Sequence, residues 1–269
     1  MANNSEGRII TGRTRVLGIL AHPTEHVKAP PAINRIAAER GRDAVMVPFN
    51  VAPADLPTVV TALRLVKSLD GSIVTVPHKQ SIMAFCDEVT PQAAAVGAVN
   101  ILRFEPDGRL IGGQLDGIGF VAGLRAAAVD PWGRRVFLAG AGGAASAVAF
   151  ALAEAGVAHI TLSNRSRPKI EDLRDRLQAF RPGLSVSLGS GDASGHDLVV
   201  NGTTLGMKTG DPLPIDPSTL HADMVVAEVI MEPEMTPLLI AAQEAGCRVH
   251  LGRHMLDHQL QLMADFMGL

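Results

Sequence analysis

A glycine-rich turn in the middle of the chain constrains the fold more than any other feature. Residues 140–145 read Gly-Ala-Gly-Gly-Ala-Ala, between the apolar run 136–139 and an alanine-rich segment that stops near Gly156. This strand, glycine turn and helix order lets the backbone approach a pyrophosphate at the positive end of a helix. A glycine turn by itself also fits a tight strand–helix connection. The full context predicts a Rossmann-type dinucleotide-binding unit.

The residues after the next predicted strand distinguish between the two common dinucleotides. Asn164, Arg165 and Ser166 lie about 20 residues beyond the glycine turn, where an NAD-binding unit usually has an acidic residue for the ribose hydroxyls. Arg165 is followed by two more cations, Arg167 and Lys169, and such groups suit a 2′-phosphate. Cations at a helix start are mildly unfavourable to its dipole, which favours ligand binding over a solvated surface. We therefore predict NADP as the cofactor.

Strand-like and helical patterns alternate along most of the chain, which predicts an α/β protein with mostly parallel sheets. Ser166 and Thr236 are each followed by a proline at or near the first helical position, and we predict both as helix N-caps. The predicted strands lie at 15–21, 45–49, 72–76, 136–139, 160–162, 197–200, 224–230 and 248–251, and the predicted helices include 30–40, 55–67 and 254–267.

Composition and charge exclude several kinds of partner. The 269 residues are enough for two domains, and 47% hydrophobic with 19% charged residues is typical of a folded globular protein. A net charge of −3 without long charge runs predicts neither a nucleic-acid nor a membrane partner. No apolar stretch is long enough for a secretion signal or a transmembrane helix. Cys86 and Cys247 have neither metal-type nor redox-type spacing, so we predict a cytoplasmic protein without a metal.

Ordered motifs between about residues 16 and 268 resemble those of the shikimate dehydrogenase family. They begin with a strand signature, continue through the glycine turn and end in the last helix. The matching segments are Gly-Ser-Ile-Val-Thr-Val-Pro-His-Lys (71–79), Gly-Ala-Val-Asn (97–100), Leu-Ile-Gly-Gly-Gln-Leu-Asp-Gly (110–117), Asn-Arg-Ser (164–166), Asn-Gly-Thr-Thr-Leu-Gly-Met (201–207), Thr-Pro-Leu-Leu (236–239), and Met-Leu (255–256) with Gln259.

The resemblance implies two domains and a reaction. Residues 1–115 and 237–269 would form an α/β substrate-binding and catalytic domain, to which the C-terminal helices return. Residues 116–236 would form a Rossmann-type NADP-binding domain with a parallel sheet. The family reaction is reversible hydride transfer between NADP(H) and the hydroxyl or ketone of shikimate or 3-dehydroshikimate. The family contains both monomers and homodimers.

The resemblance also implies roles for particular residues. Lys79 and Asp116 match the catalytic pair of the family. An ammonium beside a carboxylate stabilises a developing oxyanion and relays a proton. Thr75, Asn100 and Gln259 match substrate contacts. The matched cofactor-binding residues are Gly140, Ala141, Gly142, Gly143, Ala144, Asn164, Arg165, Ser166, Lys169, Thr203, Gly206, Met207, Gly252 and Met255.

The substrate pocket departs from the family pattern. Val27 and Ala29 stand at the substrate-binding positions where the family anchors a carboxylate with two serines, and Met231 replaces a tyrosine. Losing hydroxyl donors to a charged group costs roughly 1.5–3 kcal/mol each, so we expect an altered substrate preference. His26, His78 and His254 fall in motifs that border the site and offer replacement donors. In a different departure, Ile73 and the pair Gln114-Leu115 replace polar residues of the family.

Two other functions remain open. A non-catalytic NADP-binding sensor could keep the fold, although a sensor has no use for both Lys79 and Asp116. A methylenetetrahydrofolate-type dehydrogenase shares a similar layout but is disfavoured by the segments 164–166 and 201–207. His254 and His258 have a possible metal spacing, but no third ligand is evident.

Overall fold

The computed structural model describes residues 9–25 and 27–269, so His26 lies outside the described residues. Twelve strands and eight α-helices are described. In chain order they are β1 (Arg15–Ala21), α1 (Ala29–Glu39), β2 (Ala44–Asn50), α2 (Leu56–Leu63), β3 (Leu69–Val74), β4 (Glu88–Val89), α3 (Pro91–Val96), β5 (Ile101–Phe104), β6 (Leu110–Gly113), α4 (Asp116–Ala126), β7 (Arg135–Ala139), α5 (Gly143–Glu154), β8 (His159–Ser163), α6 (Arg167–Phe180), β9 (Ser185–Leu188), β10 (Leu198–Asn201), β11 (Val225–Glu228), α7 (Pro237–Glu244), β12 (Arg248–His250) and α8 (Arg253–Phe266).

The strands form two six-stranded sheets, which confirms the predicted α/β class. The first sheet has the order β2-β1-β3-β5-β6-β4, in which β5 runs antiparallel to both of its neighbours. The second sheet is parallel throughout and, read from its other edge, has the order β9-β8-β7-β10-β11-β12. Numbered from β7, this is the 3-2-1-4-5-6 order of a Rossmann fold, whose ligands bind where the order reverses.

The second sheet has one strand more than the predicted domain boundary allows. β12 pairs with β11, and Leu238 and Leu239 of α7 pack with Phe137 and Val199 in the core of this sheet. Residues 237–251 therefore pack with the second sheet, so the predicted boundary at 237 falls too early. Of the segments after this boundary, α8 is the helix that returns to the first sheet, where Met263 packs in the same core as Leu17 and Ile73.

Helix α4 joins the two halves of the molecule through an unusually close approach to its neighbours. A Cβ on Gly117 would lie 2.0 Å from the Ala147 carbonyl oxygen of α5, and one on Gly119 would lie 2.6 Å from the Met255 carbonyl oxygen of α8. Because glycine has no Cβ, both helices can pack directly on the α4 backbone. This packing brings Asp116, at the start of α4, close to the polar residues of α8.

Of the two predicted N-caps, one is confirmed and one is corrected. Thr236 is an N-cap as predicted, since its side chain accepts a hydrogen bond from the backbone N–H of Leu239. Ser166 occupies the N-cap position of α6, but its side chain makes no capping hydrogen bond. Within residues 9–25 and 27–269, no helix combines the length and the apolar character needed to cross a membrane.

Candidate active site

The matched catalytic and substrate-binding residues gather at one edge of the first sheet. Thr75 directly follows β3, and Asn100 directly precedes β5, whose first residue Ile101 pairs with Ile73 of β3. Because β5 is antiparallel, its beginning lies at the edge where β3 ends, and the Val74 N–H donates to the Asn100 carbonyl oxygen at 2.8 Å. Asp116 enters this edge from β6, which ends at Gly113 beside Ile101.

Lys79 and Asp116 form a largely buried ion pair. The Lys79 Nζ lies 2.6 Å from Asp116 Oδ2, and the exposed fractions of the two side chains are 22% and 4%. The second carboxylate oxygen, Oδ1, accepts a hydrogen bond of 2.8 Å from the side-chain amide of Asn100. Both oxygens are therefore engaged, which holds the carboxylate in one orientation and leaves the ammonium partly open to the solvent side.

Asn100 is the centre of the buried polar network. Its Nδ2 also approaches the Oε1 of buried Gln259 at 3.4 Å, while its Oδ1 accepts from the backbone N–H of Leu115 at 2.9 Å. Gln114, which replaces a family asparagine, accepts from the Asp116 backbone N–H at 2.8 Å. Its Nε2 is buried without a partner among the described residues. The sequence did not indicate that Gln114 supports the start of α4.

The two altered anchor positions offer apolar side chains. Ala29 is the first residue of α1 and is buried beside Ile33, and Val27 packs against the same cluster. Lys28, between them, has an ion pair with Glu232. Thr75 is half-buried, and its backbone N–H donates to the Leu20 carbonyl oxygen.

Two of the three candidate histidines, His78 and His254, lie among the described residues. His78 is 1% exposed, with Nε2 bonded to the Val51 carbonyl oxygen at 2.8 Å, so it does not replace the lost hydroxyls. His254 is half-buried and its ring centroid lies 4.8 Å from that of His250. The pKa of His250 is lowered to about 4, mainly by burial and to a smaller extent by the neighbouring His254 and Arg248.

A cleft of about 670 Å³ opens at the carboxyl ends of β7, β8 and β10, where the strand order of the second sheet reverses. It contains eight of the fourteen matched cofactor-binding residues, together with residues that the motifs did not indicate. The matched lining residues are Gly140, Ala141, Gly142, Asn164, Arg165, Ser166, Lys169 and Thr203, and the additional ones include Ser190, Leu213 and Pro214.

The other matched cofactor residues are not part of the cleft lining. Gly143 and Ala144 begin α5, which starts at the cleft. Gly206 has a φ of 109° and lies against Thr236, while the Met207 side chain is 54% exposed. The remaining two are packed more tightly. A Cβ on Gly252 would lie 2.1 Å from the Ile230 carbonyl oxygen, and Met255 is buried in the core that α4 shares with α5.

The charges on the cleft fit a dinucleotide with an additional phosphate. Arg165 and Lys169 are exposed and have no ion-pair partner in the described part of the chain, whereas Arg167 pairs with Glu171 at 2.9 Å. The glycine turn fits a pyrophosphate, since a Cβ added to Gly142 or Gly143 would have no heavy atom within 4 Å. That open space faces the N-terminus of the twelve-residue α5, which favours negative charge.

The Gly142→Ala variant is expected to fold normally but to bind NADP+ about tenfold more weakly, because a Cβ would occupy the space of a bound pyrophosphate. Gly142 has a φ of −85°, which alanine adopts without strain. Thermal unfolding and calorimetric titration measure the two effects. Gly202→Ala is the contrasting variant, since its Cβ would lie 2.7 Å from the Ala145 Cβ and should lower Tm. Unchanged NADP+ affinity in Gly142→Ala would contradict the assigned pyrophosphate position.

A Rossmann cleft lined by the exposed cations Arg165 and Lys169, together with a buried lysine–aspartate pair at the edge of a second sheet, defines a nicotinamide-dinucleotide-dependent oxidoreductase. Comparisons with known proteins give the family. Residues 19–102 match the model of the shikimate dehydrogenase substrate binding domain. An NADP(+) shikimate dehydrogenase of Rubrobacter xylanophilus is 38% identical over 254 residues, covering 93% of this chain and 89% of the relative. The chain belongs to the shikimate dehydrogenase family, and it is an NADP-dependent oxidoreductase that acts on a hydroxyl group.

Solved structures agree with this assignment. A shikimate dehydrogenase crystallised with NADP+ has a TM-score of 0.90 and 32% identity, covering 98% of this chain and 93% of its own. A ligand-free 5-ketofructose reductase of Gluconobacter sp. strain CHM43 has a TM-score of 0.87 and 29% identity, covering 96% and 94%. The fold is therefore shared by relatives that are named for different substrates.

Proposed function

We propose that this protein catalyses reversible hydride transfer between NADP(H) and a secondary hydroxyl or ketone of a small polyhydroxylated molecule, either shikimate and 3-dehydroshikimate or a diverged substrate. The observation that carries the proposal is the Lys79–Asp116 ion pair, held by Asn100 and adjoined by Gln259. A protein that only senses NADP has no need for a buried, oriented ion pair at the edge of a separate domain.

The residues of the site have distinct tasks in this reaction. The residues of the dinucleotide cleft, among them Gly142, Arg165 and Lys169, would hold the cofactor, which would supply hydride-transfer chemistry as NADPH or as NADP+. Lys79 donates a hydrogen bond from Nζ to the reacting oxygen and passes it a proton during reduction, or takes one during oxidation. Asp116 holds the ammonium in place and balances its charge. Asn100 already bonds Asp116 and Leu115, so it orients the carboxylate and has one Oδ1 lone pair left for a substrate hydroxyl, while Gln259 offers its amide to another hydroxyl.

Two observations favour different substrates. The NADP(+) shikimate dehydrogenase relative, 38% identical over nearly the whole chain, favours shikimate. The apolar side chains of Val27 and Ala29 remove two hydroxyl donors, which favours a substrate without a carboxylate at that point. The structural similarity to a reductase of 5-ketofructose, a keto sugar, shows that relatives of this fold are named for such molecules.

The double variant Val27→Ser/Ala29→Ser is expected to raise kcat/KM for shikimate by about tenfold or more, because each restored hydroxyl can donate to a carboxylate. The measurement follows NADPH absorbance with shikimate, quinate and 5-ketofructose for the original protein and the variant. KM for NADP+ is the internal control and should not change. Efficient shikimate oxidation by the original protein, with no gain in the variant, would show that the apolar positions do not alter specificity. Failure of all three substrates would count against the proposed reaction itself.

A further inference from the structure

Glu228 is a buried carboxylate with no assigned task in the reaction. It ends β11 and is 0% exposed. Its Oε2 accepts hydrogen bonds from Asn201 Nδ2 at 3.0 Å and Thr236 Oγ1 at 2.9 Å, and its Oε1 accepts from the backbone N–H groups of Val229 and Ile230 at 3.0 and 3.2 Å. None of the ion pairs within residues 9–25 and 27–269 includes Glu228.

The carboxylate is therefore held by neutral donors rather than by a counter-charge. Burial raises the pKa of Glu228 to about 7, although the donors from Asn201, Ile230, Thr236 and Val229 each oppose that rise. An acid that is retained in such a place without a cation costs stability when it ionises. The four converging donors favour the ionised form and hold both carboxylate oxygens in one orientation.

Hydrogen bonds link Glu228 through Asn201 to the turn that follows β10. The carboxylate only accepts hydrogen bonds, so the Asn201 amide must direct its NH₂ group toward Glu228. The same NH₂ group donates to the Leu205 carbonyl oxygen at 3.0 Å. The amide oxygen then faces Thr203 and accepts from its backbone N–H at 3.0 Å and from its hydroxyl at 2.7 Å. The contact with Glu228 thus supports the orientation of an amide that binds the turn at three points.

This turn forms one wall of the dinucleotide cleft. Thr203, Thr204 and Leu205 line it after β10, and the cations Arg165 and Lys169 line it after β8. Since β7 and its glycine turn lie between these two strands, the turn 203–205 and the two cations lie on opposite sides of the glycine turn and would contact different ends of an extended ligand.

We propose that Glu228 is a positioning residue for NADP: by orienting Asn201 it holds the turn 203–205 against the half of the dinucleotide that lies away from the 2′-phosphate. The inference rests on the proposed reaction only in requiring that NADP occupies the cleft. Arg165 and Lys169 then contact the 2′-phosphate half, and the turn 203–205, which Glu228 supports through Asn201, contacts the other half.

The Glu228→Gln variant tests binding of the nicotinamide half of NADP separately from binding of the 2′-phosphate half. The backbone N–H groups of Val229 and Ile230 cannot turn, so the glutamine oxygen stays with them and its NH₂ group faces Asn201 Nδ2. Two donors then face each other, and the Asn201 amide turns and releases Thr203. We expect calorimetric titration to show a Kd for NADP+ raised about tenfold, while the Kd for adenosine 2′,5′-bisphosphate, which lacks the nicotinamide half, stays within about twofold. Glu234→Gln is the matched control, because Glu234 is an exposed acid of the following loop that pairs with Arg253. It should change neither affinity.

A second variant tests the same link without altering the buried acid. Asn201→Ala should raise the Kd for NADP+ without raising that for adenosine 2′,5′-bisphosphate. Combining it with Glu228→Gln should raise the Kd little further, since both changes interrupt the same series of hydrogen bonds from Glu228 through Asn201 to Thr203. Equal weakening of both ligands in either variant, or unchanged NADP+ affinity, would overturn the proposal. Absence of NADP+ binding by the original protein would instead refute occupancy of the cleft by NADP.

Discussion

Replacing Lys79 by methionine is expected to lower kcat by about 10²–10⁴-fold, because the reacting oxygen then loses its proton donor and its stabilising charge. Methionine keeps most of the length of the lysine stem, so packing around the ion pair changes little. The Kd for NADP+ should remain within about twofold, since the cofactor cleft does not include Lys79. Steady-state kinetics with the best substrate of the panel and calorimetric titration with NADP+ measure the two quantities.

The structure offers a control for this variant. Lys67 is an exposed lysine after α2 with no ion pair in the described part of the chain, and Lys67→Met should leave kcat unchanged. Asp116→Asn provides a second comparison, because it keeps the hydrogen-bonding shape but removes the charge that holds the ammonium. A Lys79→Met protein with nearly full kcat would remove the lysine from the mechanism.

Removing two cations from the cleft is expected to convert a strong preference for NADP into a weak one. The Arg165→Ala/Lys169→Ala protein should lose about 10²–10³-fold in kcat/KM for NADP+, since each charge-assisted contact to a phosphate contributes roughly 1.5–3 kcal/mol. Neither residue has an ion-pair partner within the described ranges, so their removal leaves no buried charge uncompensated. The value of kcat/KM for NAD+ should stay nearly constant, because NAD+ carries no 2′-phosphate.

Arg167→Ala is the matched control for the pair. Its guanidinium pairs with Glu171 one turn further along α6, at 2.9 Å, and is therefore less available to a ligand. We expect a loss of kcat/KM for NADP+ of less than about threefold, as for an exposed surface pair. A large loss for Arg167→Ala together with a small one for the double variant would show that the phosphate lies closer to α6 than proposed.

The alternating pattern and the ordered motifs were sufficient for the α/β class, the Rossmann unit and the family. The strands of the parallel sheet were readable because runs such as 136–139 are buried on both faces and therefore continuously apolar. β9 at the edge of the second sheet was not predicted, since Ser185–Leu188 is half polar and takes its register from β8. The short strands β4, β5 and β6 were missed for a related reason, as they depend on pairing rather than on their own length.

The domain boundary shows the limit of local patterns. The helix at Pro237–Glu244 and the strand at Arg248–His250 were identified as elements, but their assignment to the first domain was wrong. The sequence pattern of these residues does not indicate which of the two sheets they join. Val225 and Val226 of β11 supply the unpaired edge that the strand fills, and that edge exists only after the sheet has assembled.

The sequence by itself determined the order of the elements and the glycine turn, because each depends on residue type at a local spacing. Its motifs also indicated the cations proposed for the NADP site and the proposed catalytic pair, Lys79 and Asp116. Only the tertiary structure decided how these parts meet. It placed Asn100 between Asp116 and Gln259, which are far apart in the chain, by packing α8 on the glycine face of α4. It also placed Glu228 behind Asn201, since a hydrogen bond between two neighbouring parallel strands depends on their register rather than on their sequences.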